Sequence, residues 1–518
     1  MSLNLVSPGT KVREVDLTIG RVDAINEQVG AIAGPFEKGP VDVPTLIETE
    51  QDLLATFGEP KEDDAQYEYW MSASSYLSYG GVLRVVRADN STLNNANDKG
   101  ATVKIKNYED YINNYASAVS FNYAAKYPGK CLNDLKVCVV DDFADQRISV
   151  GSGVTSGMVG LGVTQSIDGR LEVGIGTTSS ASGFLRGVIT AVDTDNQTID
   201  VKITDKVSSA NVSTPVTYKQ GTDDSPSKFI APVIKQTGST NISTVTGVTN
   251  ESFDATISGI ATANIQVGDS VGVTTTAITV SADTKVVAIG ASIISVDKAI
   301  SGIATTGDNV EFTFSRGNQA EVNFPIKVVE PDSTVHATFN SATSSDWYDK
   351  QTLGLTNSTV FWKSIAEKPG TSEYAGERSG RNDEIHIVVV DDTGSVTGIA
   401  GNIIEKHLSL SKAKDGRVSP SEPNYYKDYL ARVSSNIYAG GADSGTATGL
   451  TATAGSTNWT LSGTGDVGSN AQGVTFPGIG VSTYTLSGGQ NYDSSGGYNA
   501  SLADVISAYD IFTNQAEY

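Results

Sequence analysis

The sequence predicts a multidomain α+β chain: a discontinuous α/β domain, one or two inserted all-β barrels or sandwiches, and an extended N-terminal arm. Three observations lead there. Gly30 to Asp89 reads as a compact strand-turn-helix unit. From about Ala144 to Pro331 the composition turns to Ser, Thr, Gly and Val. Beyond about residue 346 buried-strand and helix patterns return. At 518 residues the chain is also too long for a single hydrophobic core.

Residues 1–20 form the arm. Pro8-Gly9 is a turn signal, and the following Lys11 to Leu17 suits an extended strand with charges flanking Val12, Val15 and Leu17. Such a segment buries no core of its own. It either lies on its own domain or adds a strand to a neighbour's open sheet edge, which makes Val12, Arg13, Glu14, Val15, Asp16 and Leu17 the candidate interface residues.

In the unit from Gly30, a short strand (Ala31 to Ala33) enters a turn holding Gly34, Pro35, Gly39 and Pro40. A strand at Thr45 to Ile47 and a brief helix at Glu50 to Phe57 follow, the helix stopped by Gly58 and Pro60. Asp64 is placed to cap a second helix, on which Trp70, Ala73, Tyr76 and Leu77 recur at helical spacing. Gly80-Gly81 ends it, and Val82 to Val86 returns as a buried strand.

Asn90 to Gly100 is polar and reads as a loop or linker, followed by a strand that gives way to the tyrosine-rich 108–115. Leu135 to Val140 is a buried strand. The middle region carries short β-type runs between turn residues, and Ser258 to Thr262 recurs as Ser301 to Thr305, a single match that does not make a repeat. Ile385 to Val390 is another buried strand. Gly401 to Leu410 suits a helix or an edge strand, residues 425–437 suit a helix, and 440–480 a long loop. Ser501 and Asp504 make a capping-box pair for a last helix bearing Leu502, Val505, Ile506, Tyr509 and Phe512.

Little in the sequence speaks for catalysis. Asp141-Asp142 and Asp391-Asp392 end strands, where metal or phosphoryl sites occur, but no motif ties a third group to them, so they read as solvated acids at turns or helix N-caps. Gly151 to Gly157 lacks the lysine of a phosphate loop. Cys131 and Cys138 read as reduced thiols, and with three scattered histidines they give no zinc pattern and no cofactor site. The formal charge of −23 and the lack of Lys/Arg clusters disfavour a nucleic-acid binder. No run is long and apolar enough to span a membrane as a helix. A rival to a structural role is a β-rich virion surface protein that recognises a receptor or glycan, although the middle region is poor in aromatics. An enzyme built on Asp141 and Asp391 ranks third.

Four stretches in order resemble the contractile tail sheath proteins of myophages: PGTKVREVDL; GAIAGPFEKGPVDVPTLIETEQDLLATFGEP; YEYWMSASSYLSYGGVLRVVRAD; and TLSGGQNYDSSGGYNASLADVISAYDIF. The resemblance implies a non-enzymatic virion subunit, assembled in the host cytoplasm, that polymerises helically around a tail tube. It implies contraction that drives the tube through the host envelope. Its partners would be other sheath subunits, the tube protein, and baseplate and tail terminator proteins. It further implies the division 1–20 (arm), 21–143 with 346–518 (sheath domain) and 144–345 (insert). The family's C-terminal domain is not matched, so an N-terminal portion that is monomeric or weakly associating is expected. Within the discontinuous domain, the strands at Val82, Leu135 and Ile385 are expected to share one sheet, with the Leu502 helix packed on it.

Overall fold

The computed structural model describes residues 29–62, 64–166, 183–208, 342–440, 465–493 and 495–513, with shorter pieces between 170 and 340. The chain mixes α and β, with strands predominating and spread over several sheets.

The first unit forms as the sequence predicts. Strands β1 (Val29–Gly34), β2 (Thr45–Ile47) and β3 (Val82–Arg87) make a sheet in the order β1-β3-β2. β1 runs parallel to β3, which requires a crossover, and α1 (Glu50–Phe57) with α2 (Gln66–Ser78) supplies it. On one face Leu83 and Val85 meet Phe36, Leu53, Phe57, Trp70 and Leu77. On the other, Ala33, Val86 and Ala88 meet Tyr492, Tyr498 and Ala508, brought from the far end of the chain. Asp64 does not cap α2. Ala65 holds that position without a side-chain bond, and the Asp64 carboxylate instead accepts from the Tyr498 amide at 2.8 Å.

A second sheet has four antiparallel strands in the order Asn402–Ser411, Glu384–Asp391, Leu135–Asp141, Val481–Thr485. Gly401 to Leu410 is thus an edge strand. Alternation along the central strand sends Ile385, Ile387 and Val389 into one core and Val388 and Val390 into another, against Trp347, Tyr348 and Trp362. This arrangement corrects the expectation of one shared sheet. β3 belongs to the first sheet, and the strands at Leu135 and Ile385 to the second. β3 already has β1 and β2 on its two edges, so it has no edge left to pair with the others. The last helix (Leu502–Asp510) packs on β1 and β3.

Between Gln146 and Asp346 the described elements are strands apart from one short 3-10 turn. The largest sheet there has eight strands, running from Val335–Phe339 at one edge to Thr343–Asp346 at the other, over a core containing Val163, Leu185, Ile199, Val201 and Phe229. Val271, Val286, Ile294, Phe312 and Phe314 form a second core. The Ser258–Thr262 and Ser301–Thr305 match falls largely outside the described residues.

Candidate functional site

The glycine-proline turn after β1 encloses a buried arginine. Arg87 ends β3, is fully buried, and fans its guanidinium across three turn carbonyls: Nε donates to Phe36 at 2.9 Å, Nη1 to Gly39 at 3.1 Å and Nη2 to Glu37 at 3.2 Å. The five donors of a rigid fork suit a loop of converging carbonyls, a task a single ammonium performs less well. The Tyr492 ring lies 5.7 Å from the guanidinium carbon, and its hydroxyl donates to the Ala88 carbonyl at 2.8 Å. Burial pushes the Tyr492 phenol up to about 12, so it stays a donor. One residue of β3 therefore fixes the turn and receives the segment that returns some 400 residues later.

The stretch from Asn90 to Gly100, expected to be a loop or linker, is an irregular loop and a second fastening. Asn95 and Asn97 are fully buried and Asn94 nearly so. The strand expected from residue 101 does not form: over 101–106 the amides of Val103 (2.6 Å) and Ile105 (2.7 Å) donate to the Asn94 and Asn95 side chains in place of a neighbouring strand. Asn94 also donates to the Gly488 carbonyl at 2.7 Å, and Asn97 exchanges backbone bonds with Ser487 at 2.9 and 3.0 Å. The LSGG segment docks here because Gly489 has no side chain: a Cβ there would stand 2.1 Å from the Gly129 carbonyl. Past it, the Ser501–Asp504 capping box forms as expected, and Asn90 donates to Asp504 at 2.8 Å.

The acid pairs are not solvated turns. Asp141 and Lys412 are both fully buried and meet at 2.7 Å. Asp391 accepts from the Gly394, Val396 and Thr397 amides, while Asp392 pairs with Lys136 at 2.8 Å. Asp142 belongs to a cluster at the junction of the four-stranded and eight-stranded sheets. Lys368 reaches Asp142 at 2.6 Å and Asp145 at 2.5 Å, and Lys202 reaches them at 2.5 and 3.2 Å. Burial alone would raise the Asp142 pKa, but the two ammoniums overcome it and hold the carboxyl well below its usual range. The same carboxylates hold the Lys368 ammonium charged against its burial. Nearby, Arg147 forks onto Asp200 at 2.7 and 2.8 Å, and Trp347 donates to Asp200 at 3.1 Å. A cleft of about 1180 Å³ opens above the cluster, lined by Tyr218, Tyr348, Glu367 and Arg381 among others.

These groups are paired with one another, as fastenings are. Among the described residues no group of three or more His, Cys, Asp and Glu side chains is placed to hold a metal. Cys131 and Cys138 are free thiols, pushed by burial to about 11 and about 12, which leaves them protonated and unreactive. No described helix is long and apolar enough to cross a membrane. The arm residues Val12, Arg13, Glu14, Val15, Asp16 and Leu17 lie outside the described residues. Residue patterns did not single out Arg87, Asn94, Asn95, Lys202, Lys368 or Lys412. The available signals were faint: an arginine ending an apolar strand, and an Asn-Asn-Ala-Asn run without the glycine, serine or proline usual in linkers.

No family model matches the chain. Curated proteins do. It is 39% identical over 97 residues to the tail sheath protein of Enterobacteria phage T4, covering 18% of this chain and 14% of that protein. The similarity is to tail sheath proteins. It extends to that of Salmonella phage ViI, 31% over 138 residues, covering 26% of this chain and 21% of the relative. A third, from Vibrio phage KVP40, is 37% identical over 97 residues, with 18% and 14% covered. The alignments thus span about a fifth or less of each relative's length. They connect the chain to structural proteins of the virion, not to enzymes.

Proposed function

We propose that this protein is a structural subunit of a contractile phage tail sheath, with no catalytic role. The match to tail sheath proteins of three phages, at 31–39% identity, carries the reading. In it, subunits stack helically around a tail tube, and the lattice moves between extended and contracted arrangements to drive the tube through the host envelope. Baseplate and tail terminator proteins bound the assembly, which forms in the host cytoplasm and leaves in the virion.

The reading divides the chain into an arm (1–20), a sheath domain (21–143 with 346–518) and an outward β-rich insert (144–345). The fastenings around Arg87, Asn95 and Lys368 suit a subunit that must carry load between neighbours without opening. Their polar groups are paired inside, so solvent has little to compete for. The arm, through Val12 to Leu17, adds a strand to a neighbouring subunit.

Sedimentation tests this. The complete gene product is expected to pellet as large assemblies, and the double variant Val15→Asp with Leu17→Asp to remain in the supernatant with an unchanged circular dichroism spectrum. Assemblies of equal size from both proteins would remove the arm from the account. Immunogold labelling raised against residues 144–345 is expected to decorate the tail; label confined to capsid or fibres would contradict the sheath assignment.

A further inference from the structure

The inserted β-rich region and the unit built on the four-stranded sheet meet without a shared apolar core. The chain passes between them twice, through residues 142–145 and again at Trp347. The two passages lie side by side: Asp346 pairs with Gln146 across antiparallel strands, and the Trp347 amide donates to the Asp145 carbonyl at 3.0 Å. Among the described residues no buried apolar cluster draws on both sides. Ala144 and Trp347 pack with Cys138, Val140, Trp362 and Val388, whereas the core around Leu185 and Phe229 takes its residues from the insert alone.

The ties between the two sides are polar and gather at the passages. Lys202 from the insert and Lys368 from the other side close on the same two carboxylates, Asp142 and Asp145. Trp347 donates to Asp200 at 3.1 Å. Gln220 sits on a turn fixed to the insert by the Gly221 amide, which donates to Asp346 at 2.9 Å, and its side chain donates to Asp349 at 2.8 Å. Away from these ties lies the cleft of about 1180 Å³, with Thr204 and Val216 on the insert wall and Lys363, Gly376 and Arg381 on the other.

We propose that the insert is a hinged lobe that pivots about residues 142–145 and 346–349, widening and narrowing the cleft. Two units of one chain move relative to one another unless a large apolar interface locks them, and the described residues form none at this junction. A hinge needs a few residues at element ends to absorb the rotation. Residues 142–145 are placed for this, as the short link between the strands Leu135–Asp141 and Gln146–Ser149. Both lysines reach carboxylates on that link, so the ion pairs lie on the pivot and stay made while the far walls move. Breaking a buried ion pair is costly, so the quartet permits rotation and resists separation. In a lattice whose subunits change spacing, such a lobe keeps clear of its neighbours. That consequence rests on the sheath reading, whereas the pivot itself does not.

Double electron–electron resonance on the dilute, unassembled full chain reads the pivot. Nitroxides at Thr204→Cys and Gly376→Cys sit on opposite walls of the cleft. Cys131 and Cys138, buried and protonated, do not compete for the label. One control pairs Lys350→Cys with Gly376→Cys, and another pairs Thr194→Cys with Thr204→Cys, each within one lobe. The distance distribution across the cleft is expected to be about twice as wide as either control, or wider. Its mean is expected to shorten in concentrated sucrose, which favours the arrangement with less hydrated surface. A distribution across the cleft as narrow as the controls, or a mean that sucrose leaves unchanged, would overturn the hinge. Equal broadening in a control would also overturn it, because the motion would then lie inside one lobe. A chain that fails this test can still pellet as large assemblies, so the hinge and the sheath assignment fail separately.

Discussion

Replacing Arg87 by methionine removes three charge-assisted donors at once and leaves the carbonyls of Phe36, Glu37 and Gly39 facing an apolar side chain. Each buried acceptor left unpaired costs about 1–3 kcal/mol. Relief from burying the guanidinium charge offsets part of that sum, so the expected loss is about 3–5 kcal/mol. A single domain has only ~5–15 kcal/mol in total. A whole-chain melting temperature is a poor gauge, because a chain with several separate cores is not expected to unfold as one unit. Native-state hydrogen exchange is the proper assay. The amides to follow are Ala88, which donates to Gly34 at 3.0 Å, and Asp42, which donates to the Arg87 carbonyl at 3.1 Å. A loss of 3 kcal/mol accelerates their exchange by roughly 150-fold. Arg87→Lys keeps a charge but reaches fewer carbonyls, so it should fall between. If exchange in the methionine variant rises less than about fivefold, the turn is held by its own backbone and the guanidinium is incidental.

Three further outcomes are expected. Lys368→Met leaves Asp142 and Asp145 with Lys202 alone, and should lower the stability of the junction by about 3–5 kcal/mol, read by native-state hydrogen exchange at the Asp145 amide, which donates to the Val201 carbonyl. Adding Asp142→Asn restores charge balance and should recover at least part of it; no recovery would point to packing instead of charge. Gly489→Ala forces a methyl to 2.1 Å from the Gly129 carbonyl, so the LSGG segment should detach, seen as faster exchange at the Ser487 and Gln490 amides. The third concerns acid. His386 is held neutral: burial lowers its pKa, its Nδ1 accepts from the Ser409 amide and its Nε2 donates to the Glu367 carbonyl, both at 2.9 Å. Its unfolded value is about 6.5, so this stability is fully present above that pH and is lost as pH falls from there through the lower folded value. His386→Gln should therefore lose less stability than the unaltered protein between pH 7.5 and 5 in urea titrations.

Local signals were legible wherever one stretch of chain decides its own structure. The strand at Thr45, the helix at Glu50 and the capping box at Ser501 follow from neighbours a few residues away. What failed to show in the sequence depends on distant partners. Asn94, Asn95 and Asn97 look like linker residues because their composition is polar, and only the arrival of residues 486–490 and 101–105 gives those amides a buried role. Asp142 was read as a solvated acid because Lys202 and Lys368 lie 60 and 226 residues away in sequence. Sheet membership failed for the same reason: the apolar run at Val82 cannot reveal that β1 and β2 already occupy its two edges. The last helix was half legible. Val505 is buried as its spacing suggests, but its companion in the core is Ala508, which the spacing did not single out, while Leu502, Ile506 and Tyr509 stay exposed.

The central claim is that this chain is a sheath subunit, and electron microscopy of the complete natural gene product tests it most directly. Tubes or stacked rings with a regular helical repeat, and an axial channel wide enough for a tail tube, are the predicted result. Single monodisperse particles that persist at high concentration and in the presence of the cognate tail tube would contradict it.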